Sequence, residues 1–578
     1  MSDWTPDYGH LDTPAPPWAA KRPVRIALLG DFGGGAAAGR LDTGSALARR
    51  KPRAVEFDSL EDELARQRLT LALPIGAERG ALSVTLSELE SFHPDTLFRE
   101  LPLFRQLGDL RKRLNSPSSF DKAAAEVARL TGTARKASRV GRGTRARGAA
   151  PAADARLDDF ARLTGRTSAP PTAGSLDALL RDVVGPFIVP AAKPEKAALL
   201  AALDAAIADG MRAVLHQPDF QTAESLWRGV DFLLRRLETG PMLQVHLIDI
   251  SAEEFAADLS AADDLADAGL YDLLVSQPAQ ARDGGYTYIA GLYQFEATPP
   301  HTELLGRIAR IAQAAGASFI TGMAVDALSD PRRPPHPLVA EALRALQALP
   351  EAARLVLLGP RFLLRHPYGK RSDPISAFAF EEFTAADGLA GMLWGHPALL
   401  ALTVLAGQGG TPVVNDLPFH SFIDADGDST ALPCTERFLS TTAVSALADW
   451  GVGALVAHKG EACVRLSGLT GVAAAGATSR AAGRSGVQLH VQGRAPERAA
   501  PATAPRAAAA DPDTPSRSSP DIDGDIDGEI DSDAPPTPAG DDDLDALLAS
   551  LGGDDSDSPK ADDDGMDTDL DELLKSLG

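Results

Sequence analysis

The chain has 578 residues, with 56 Lys+Arg against 80 Asp+Glu and a net charge of −24. The length suggests three or four folding units, and 44% hydrophobic residues with only 5% aromatics point to a core built mainly from Leu, Val, Ile and Ala. Residues 511–578 hold 23 acidic and 3 basic residues, a net of −20, which leaves −4 for the first 510; a nearly neutral body with an acidic end excludes a general nucleic-acid binder, which needs clustered positive charge.

The two cysteines, Cys434 and Cys463, exclude a disulfide framework and a four-Cys zinc site, and suit a reducing compartment. The N-terminus lacks the basic-then-apolar form of a secretory signal. No apolar run reaches 18 residues, so no membrane insertion is expected.

Residues 1–21 form a Pro-rich arm. Val24–Leu29 reads as a strand broken by Gly30-Asp31-Phe32-Gly33-Gly34-Gly35, and Arg53–Phe57 as a half-buried strand. Leu69–Leu73 and Leu82–Leu86 add two short strands. Phe92-His93-Pro94-Asp95 opens a helix whose apolar stripe runs through Leu97, Leu101, Phe104, Leu107, Leu110 and Leu114. This module spans 22–130.

Residues 131–174 bring Arg135, Lys136, Arg139, Arg142, Arg145 and Arg147 among Gly, Ala, Ser and Thr, then Pro151, Pro170 and Pro171. That is the composition of a flexible linker; a patch for an acidic partner is the other reading, without the interleaved aromatics that single-strand stacking needs. The module 175–470 is mostly helical to Leu270, with strands at Leu243–Ile248, Tyr286–Phe295, Ala317–Gly322 and Arg354–Gly359, and helices at Leu304–Ala315 and Trp394–Gln408. The alternation makes the fold class α/β (α+β): two such modules, a linker, and a tail.

The tail, 471–578, turns Ala/Arg-rich and then acidic, a composition expected to be disordered. It carries a repeat: Leu544, Leu547, Leu548 and Leu551 in 544–552 recur as Leu570, Leu573, Leu574 and Leu577 in 570–578. Each set occupies one helix face, with acids before it and Gly after it, and is expected to bind a partner as a short helix.

Motifs that carry chemistry are scarce. Gly30–Gly35 lacks the Lys-Ser/Thr pair of a phosphate loop and reads as a permissive turn. Asp424–Asp428 and Asp521–Glu529 place their glycines too early for a calcium loop. The 11 histidines form no HExxH or His-x-His pair, and no G-x-S-x-G elbow exists. His93, His216, His366 and His396 sit beside Pro or one residue from it, as turn or helix-start residues do. Neither a cofactor nor a metal is expected, and no catalysis.

The segment His216–Val230, with Phe220, Glu224, Trp227, Arg228 and Gly229, resembles a signature of the large contractile-sheath subunit of bacterial type VI secretion systems (TssC-like). Tyr288–Phe295, Pro360–Gly369 (with Pro360, Arg361, Phe362, Arg365, Pro367 and Tyr368), Trp394–Ala398 and Leu417–His420 are similar to further motifs of that family, in the same order. The first module resembles the small, TssB-like, subunit through Asp31 at a strand end and Phe92, Pro94 and Asp95 at a helix start. The resemblance covers roughly Arg22 to Leu466 and implies two sheath-like modules fused in one chain, with these residues in structural rather than catalytic roles. It also implies a cytoplasmic location. The implied partners are sheath subunits, the inner tube, the baseplate, a recycling ATPase, and further copies of the chain. The family's large subunit continues well past the part matching Leu417–Leu466, where this sequence turns to linker and acidic tail. A second reading is therefore a non-polymerising, sheath-derived adaptor that recruits partners through the tail. A third, of a different class, is an enzyme using Gly30–Gly35 for a nucleotide.

Overall fold

Strand β1 (Val24–Gly30) lies inside a nine-stranded sheet, between β5 (Leu243–Asp249) and β6 (Tyr288–Phe295), parallel to both. Its register with β5 runs unbroken from Val24 opposite Leu243 to Gly30 opposite Asp249. This computed structural model describes residues 6–11, 22–75, 80–131, 180, 183–184, 196–281, 283–407, 411–423 and 428–472. All but Thr131 of the linker expected at 131–174, the leucine repeats and most of the tail, the Asp521–Glu529 run and most of Asp424–Asp428 lie outside them.

Beyond β1, the sheet continues through β5 to an antiparallel edge strand, β2 (Arg53–Val55). On the other side β6 leads to β7 (Ser318–Met323), β8 (Leu355–Gly359) and β14 (Val452–Ala457), all parallel. Antiparallel β15 (Val464–Ser467) and β11 (Val413–Val414) finish it. Three small two-stranded sheets stand apart: β3 (Leu69–Ile75) with β4 (Gly80–Leu86), β9 (Phe362–Leu363) with β10 (Trp394–Gly395), and β12 (Ser421–Ile423) with β13 (Ser429–Ala431).

Central strands of a parallel sheet are covered on both faces, which is why they read as unbroken apolar runs. Here β7 and β8 are buried throughout. Alternate residues of β1 enter different cores: Ile26 and Leu28 one, Ala27 and Leu29 the other.

Helices α1–α7 precede β5 in the described residues; α2–α7 cover part of the first core, and Leu47 of α1 packs into the second. Of these, α1 is Gly44–Ala48, α2 Leu60–Gln67, α3 Pro94–Glu100, α4 Pro102–Asn115, α5 Phe120–Thr131, α6 Lys196–Leu215 and α7 Pro218–Leu234. The β3–β4 hairpin alternates as expected, with Leu69, Leu71, Leu73, Leu82, Val84 and Leu86 turned into this core. The second core is built against α8 (Ala252–Ala261), α9 (Pro299–Ala315), α10 (Pro337–Ala348) and α12 (Thr441–Asp449). Helix α11 (Pro397–Ala406) returns to the first core and is buried almost all round, as its apolar composition requires.

The helix expected from Pro94 to Leu114 is two helices. Pro102 cannot donate to the turn before it and pushes Leu101 out of the helical region, so Leu101 is extended (φ −76°, ψ 128°) and α4 starts afresh. Part of the N-terminal arm is also placed: the Arg307 guanidinium on α9 donates to the Asp7 carbonyl at 3.0 Å. A Cβ at Gly306 would overlap the Tyr8 ring.

Candidate functional site

The motif residues separated in sequence meet around α7. Gln217 caps this helix by accepting from the Phe220 amide at 3.0 Å, and Pro218 supplies its first turn. One side of α7 is apolar. Trp227 is fully buried, its ring edge-on to Phe32 at 5.5 Å, and its Nε1–H donates to the Phe32 carbonyl at 3.3 Å. Phe220 meets Phe92 in the same edge-on manner at 5.5 Å. Gly229 is required by closeness: a Cβ there would sit 2.7 Å from Leu399 Cδ1 on α11.

The other side carries charge. Glu224 is buried and accepts from Arg228 Nε one turn on, at 2.7 Å, and from Arg365 Nε at 2.8 Å and Nη2 at 3.2 Å. Arg365 also donates to both oxygens of buried Glu382, at 2.7 and 3.0 Å. Arg228 donates on to the Tyr368 hydroxyl at 3.0 Å, and the Tyr368 amide donates to Glu382 at 2.8 Å. Arg365 lies over the Tyr368 ring, 4.1 Å from its centroid.

Two carboxylates and two guanidiniums thus neutralise one another in a closed set. Burial pushes Glu382 up, but the Arg365 charge, the adjacent His216 ring and the Tyr368 amide overcome it and hold the carboxyl at about 2. Burial works against the Arg365 charge too, and Glu224 and Glu382 reverse it, holding that guanidinium well above its ordinary value.

The first module closes this set from outside. His93 caps α3 by accepting from the Asp95 amide, and its ring meets Tyr368 edge-on at 5.0 Å. Pro94 is buried at the start of α3. Asp95 accepts from the amides of Ser376 and Ala377 at 2.9 and 2.8 Å and from the Ser376 hydroxyl at 2.7 Å. Phe98 stacks on Phe378 at 4.9 Å. Pro367, buried between Arg365 and Tyr368, accepts from Ser372.

Pro360 follows a cis peptide, and Phe362 on β9 packs against Phe232 at 5.1 Å. Arg361 makes a two-pronged pair with Glu436, at 2.8 and 2.6 Å. The Trp394 Nε1–H donates to the Leu389 carbonyl at 3.1 Å.

A cleft of about 620 Å³ opens where β1 and β6 end, beside the start of α7. It collects Asp31, Arg361 and Trp394 with Ser225, Tyr293 and Glu436. Several of the polar groups facing it are engaged within the fold. Ser225 donates to the Trp394 carbonyl at 2.7 Å and Tyr293 to the Ile250 carbonyl at 2.8 Å. Asp31 accepts from the Gly35 and Ala36 amides at 2.6 and 3.2 Å, and Asp249 accepts from Gly33 at 2.9 Å. Carboxylates therefore take the loop amides that a phosphate would need. Among the described residues there is no cluster of three or more metal-ligating side chains, and no helix long and apolar enough to cross a membrane.

A second buried charge set escaped the sequence reading. Arg50 donates to Glu254 Oε2 at 2.7 Å and to Asp42 at 2.8 Å, and Arg40 donates to Asp249 at 2.7 Å and to Glu254 at 3.2 Å. It ties the loop after β1 to the end of β5 and the start of α8. The pattern Ser251-x-x-Glu254 was a legible sign, and it forms a capping box in which Glu254 accepts from the Ser251 amide. Glu382 was missed as well, since no helix or strand periodicity surrounds it.

Residues 197–470 match the VipB family model, described as "EvpB/VC_A0108, tail sheath N-terminal domain". The chain is also 29% identical over 288 residues to the type VI secretion system sheath protein TssC1 of Pseudomonas aeruginosa. That similarity takes in 45% of this chain and spans 58% of the relative's length. The family match starts after the segment that supplies β1 and β2. Residues 197–470 are thus similar to the large sheath subunit of type VI secretion systems.

Proposed function

We propose that this protein is a structural component of a type VI secretion contractile sheath or a sheath-like assembly. In this reading a small-subunit-like segment, 22–130, and a large-subunit-like segment, 175–470, are fused through the linker 131–174. The carrying observation is the seat of β1 between β5 and β6, with Phe32 and Phe92 packed on Trp227 and Phe220 of a large-subunit motif and Asp95 accepting from Ser376 and Ala377. Two partners that must stay together gain high effective concentration from a covalent linker.

A noncatalytic, cytoplasmic role without a cofactor is part of the proposal. It is supported by the motif residues themselves, whose charged groups are spent on one another. The partners would be other sheath subunits, the inner tube, the baseplate and a recycling ATPase. The leucine repeats at 544–552 and 570–578 would recruit one of these; their shared spacing in the sequence supports it.

Negative-stain microscopy of the purified full-length protein tests the assembly. Tubes or ring stacks are expected. Discrete particles at every concentration would overturn the sheath reading and leave the adaptor.

A further inference from the structure

Strand β2 ends the nine-stranded sheet on one side: it pairs with β5, and among the described residues no strand pairs with its other edge. Open N–H and C=O groups along such an edge are a template for a further strand. Arg53 and Ala54 are exposed and Val55 is buried. Arg53 and Val55 share one face of the strand and Ala54 takes the other. Arg49 and Lys51, just before β2, are exposed too, and none of the three cations forms an ion pair among the described residues. The next acids, Glu56 and Asp58, lie past the strand's end. A short edge guarded by Lys51, Pro52 and Arg53 repels most strands and selects an acidic one.

The sequence contains such a strand. From Asp521 to Asp531 every odd position is Asp or Glu and every even one Ile or Gly. That is the period of an extended strand with one anionic face and one small, apolar face. With an acid opposite Arg53, an Ile or Gly falls opposite Ala54, whose small side chain leaves room for it. Gly and Asp are poor strand formers, so the segment needs a partner edge to become one. The chain is also long enough. The Val472 amide, at the end of the described residues, donates to the Leu355 carbonyl at the start of β8 at 2.9 Å. From β8 to β2 is five steps across the sheet, about 24 Å at the usual strand spacing. About 50 residues join Val472 to Asp521, and a flexible chain of that length spans about 40 Å.

We propose that the acidic segment 521–531 adds to β2 of its own chain as a further edge strand, with its acids toward Lys51 and Arg53 and its Ile/Gly side against Ala54. Main-chain hydrogen bonds hold the strand, and charge selects it. The covalent tether keeps it at high effective concentration beside the edge. Once seated, it closes that edge to other copies of the chain.

The test is hydrogen exchange on the full-length protein, read by mass spectrometry on peptides covering Arg53–Val55 and 521–531, at about 0.05 M and about 1 M salt. At low salt both peptides should exchange about fivefold more slowly than at high salt, to the same extent at every protein concentration. Neutralising the acids of 521–531 to their amides should remove the protection from both peptides and leave β7 unchanged. Lys51→Glu combined with Arg53→Glu should do the same. Reordering 521–531 so that its acids are contiguous keeps composition and charge but destroys the alternation, and should also remove it. Exchange that is equally fast at both salts, or protection that survives neutralisation or charge reversal, would overturn the proposal. So would protection that survives the reordering, which reports charge contact without a strand, or that grows with protein concentration, which reports a strand from a second copy.

Discussion

Glu224 and Arg365 form a buried, two-pronged ion pair, with Nε–Oε1 2.8 Å and Nη2–Oε2 3.2 Å, that joins two sequence motifs lying on separate elements. Taking both charges out of water is costly, and their attraction offsets that cost only while Arg228 and Glu382 complete the set. Removing one member strands an uncompensated charge. Glu224→Ala and Arg365→Ala should each lower stability by about 3–5 kcal/mol, measured by denaturant unfolding. Because they share one network, the double variant should lose clearly less than the sum. Independent, additive losses would show that the pair is not coupled.

Acid should destabilise the fold in two steps. Burial holds the imidazoles of His246, His301 and His396 down at about 4, against 6.5 unfolded. Between those values the unfolded chain binds more protons, so stability present above about pH 6.5 falls as the pH drops toward 4. Glu382, held at about 2 against 4.5, adds stability that is present above 4.5 and lost as the pH falls through 2. Unfolding free energy should hold nearly level from pH 8 to about 6.5 and decline from there to pH 3. The Glu382→Gln variant, compared with the parent, should show a flatter slope below pH 4.5 alone.

Much of this was legible beforehand. Strands β1, β5, β6, β7 and β8 announce themselves as short apolar runs, and α7 as an amphipathic helix with its cap and proline. Sheet order was not legible. Nothing local in Val24–Gly30 says that it inserts between two strands more than 200 residues downstream, because that choice is made by burial on both faces. The resemblance named Glu224, Arg228 and Arg365 singly, yet Glu382, which completes their set through Arg365 and the Tyr368 amide, lies in an irregular segment without a period to reveal it. Pro102 was in view, but the stripe from Leu97 to Leu114 continues across it; periodicity survived a break in the backbone.

Trp227 is a packing residue, and its hydrogen bond to the Phe32 carbonyl ties the start of the chain to α7. Trp227→Ala should cost about 3–5 kcal/mol through lost burial and a cavity. Trp227→Phe keeps most of the apolar surface and should cost less, chiefly the stranded Phe32 carbonyl. Thermal unfolding followed by far-UV circular dichroism separates the two. An unchanged midpoint for Trp227→Ala would contradict the packing role.

The last prediction concerns the linker. A specific protease site placed within 131–174 should cut cleanly and yet release nothing. The N-terminal fragment holds β1 in register with β5 over its whole length and with β6 over Ile26–Leu29. It also holds β2 on the far edge of β5, the Phe32–Trp227 and Phe92–Phe220 contacts, and the Arg40 and Arg50 ion pairs. Withdrawing it would open the middle of the sheet and bare both cores, the kind of apolar loss that keeps obligate partners together. The nicked protein should run as one species on a sizing column at micromolar concentration and unfold in one denaturant transition. Its midpoint should then rise with protein concentration, because unfolding has become dissociation. Fragments that part without denaturant would refute the shared sheet as the bond between the two segments, and with it the reading of this chain as a fused pair of sheath subunits.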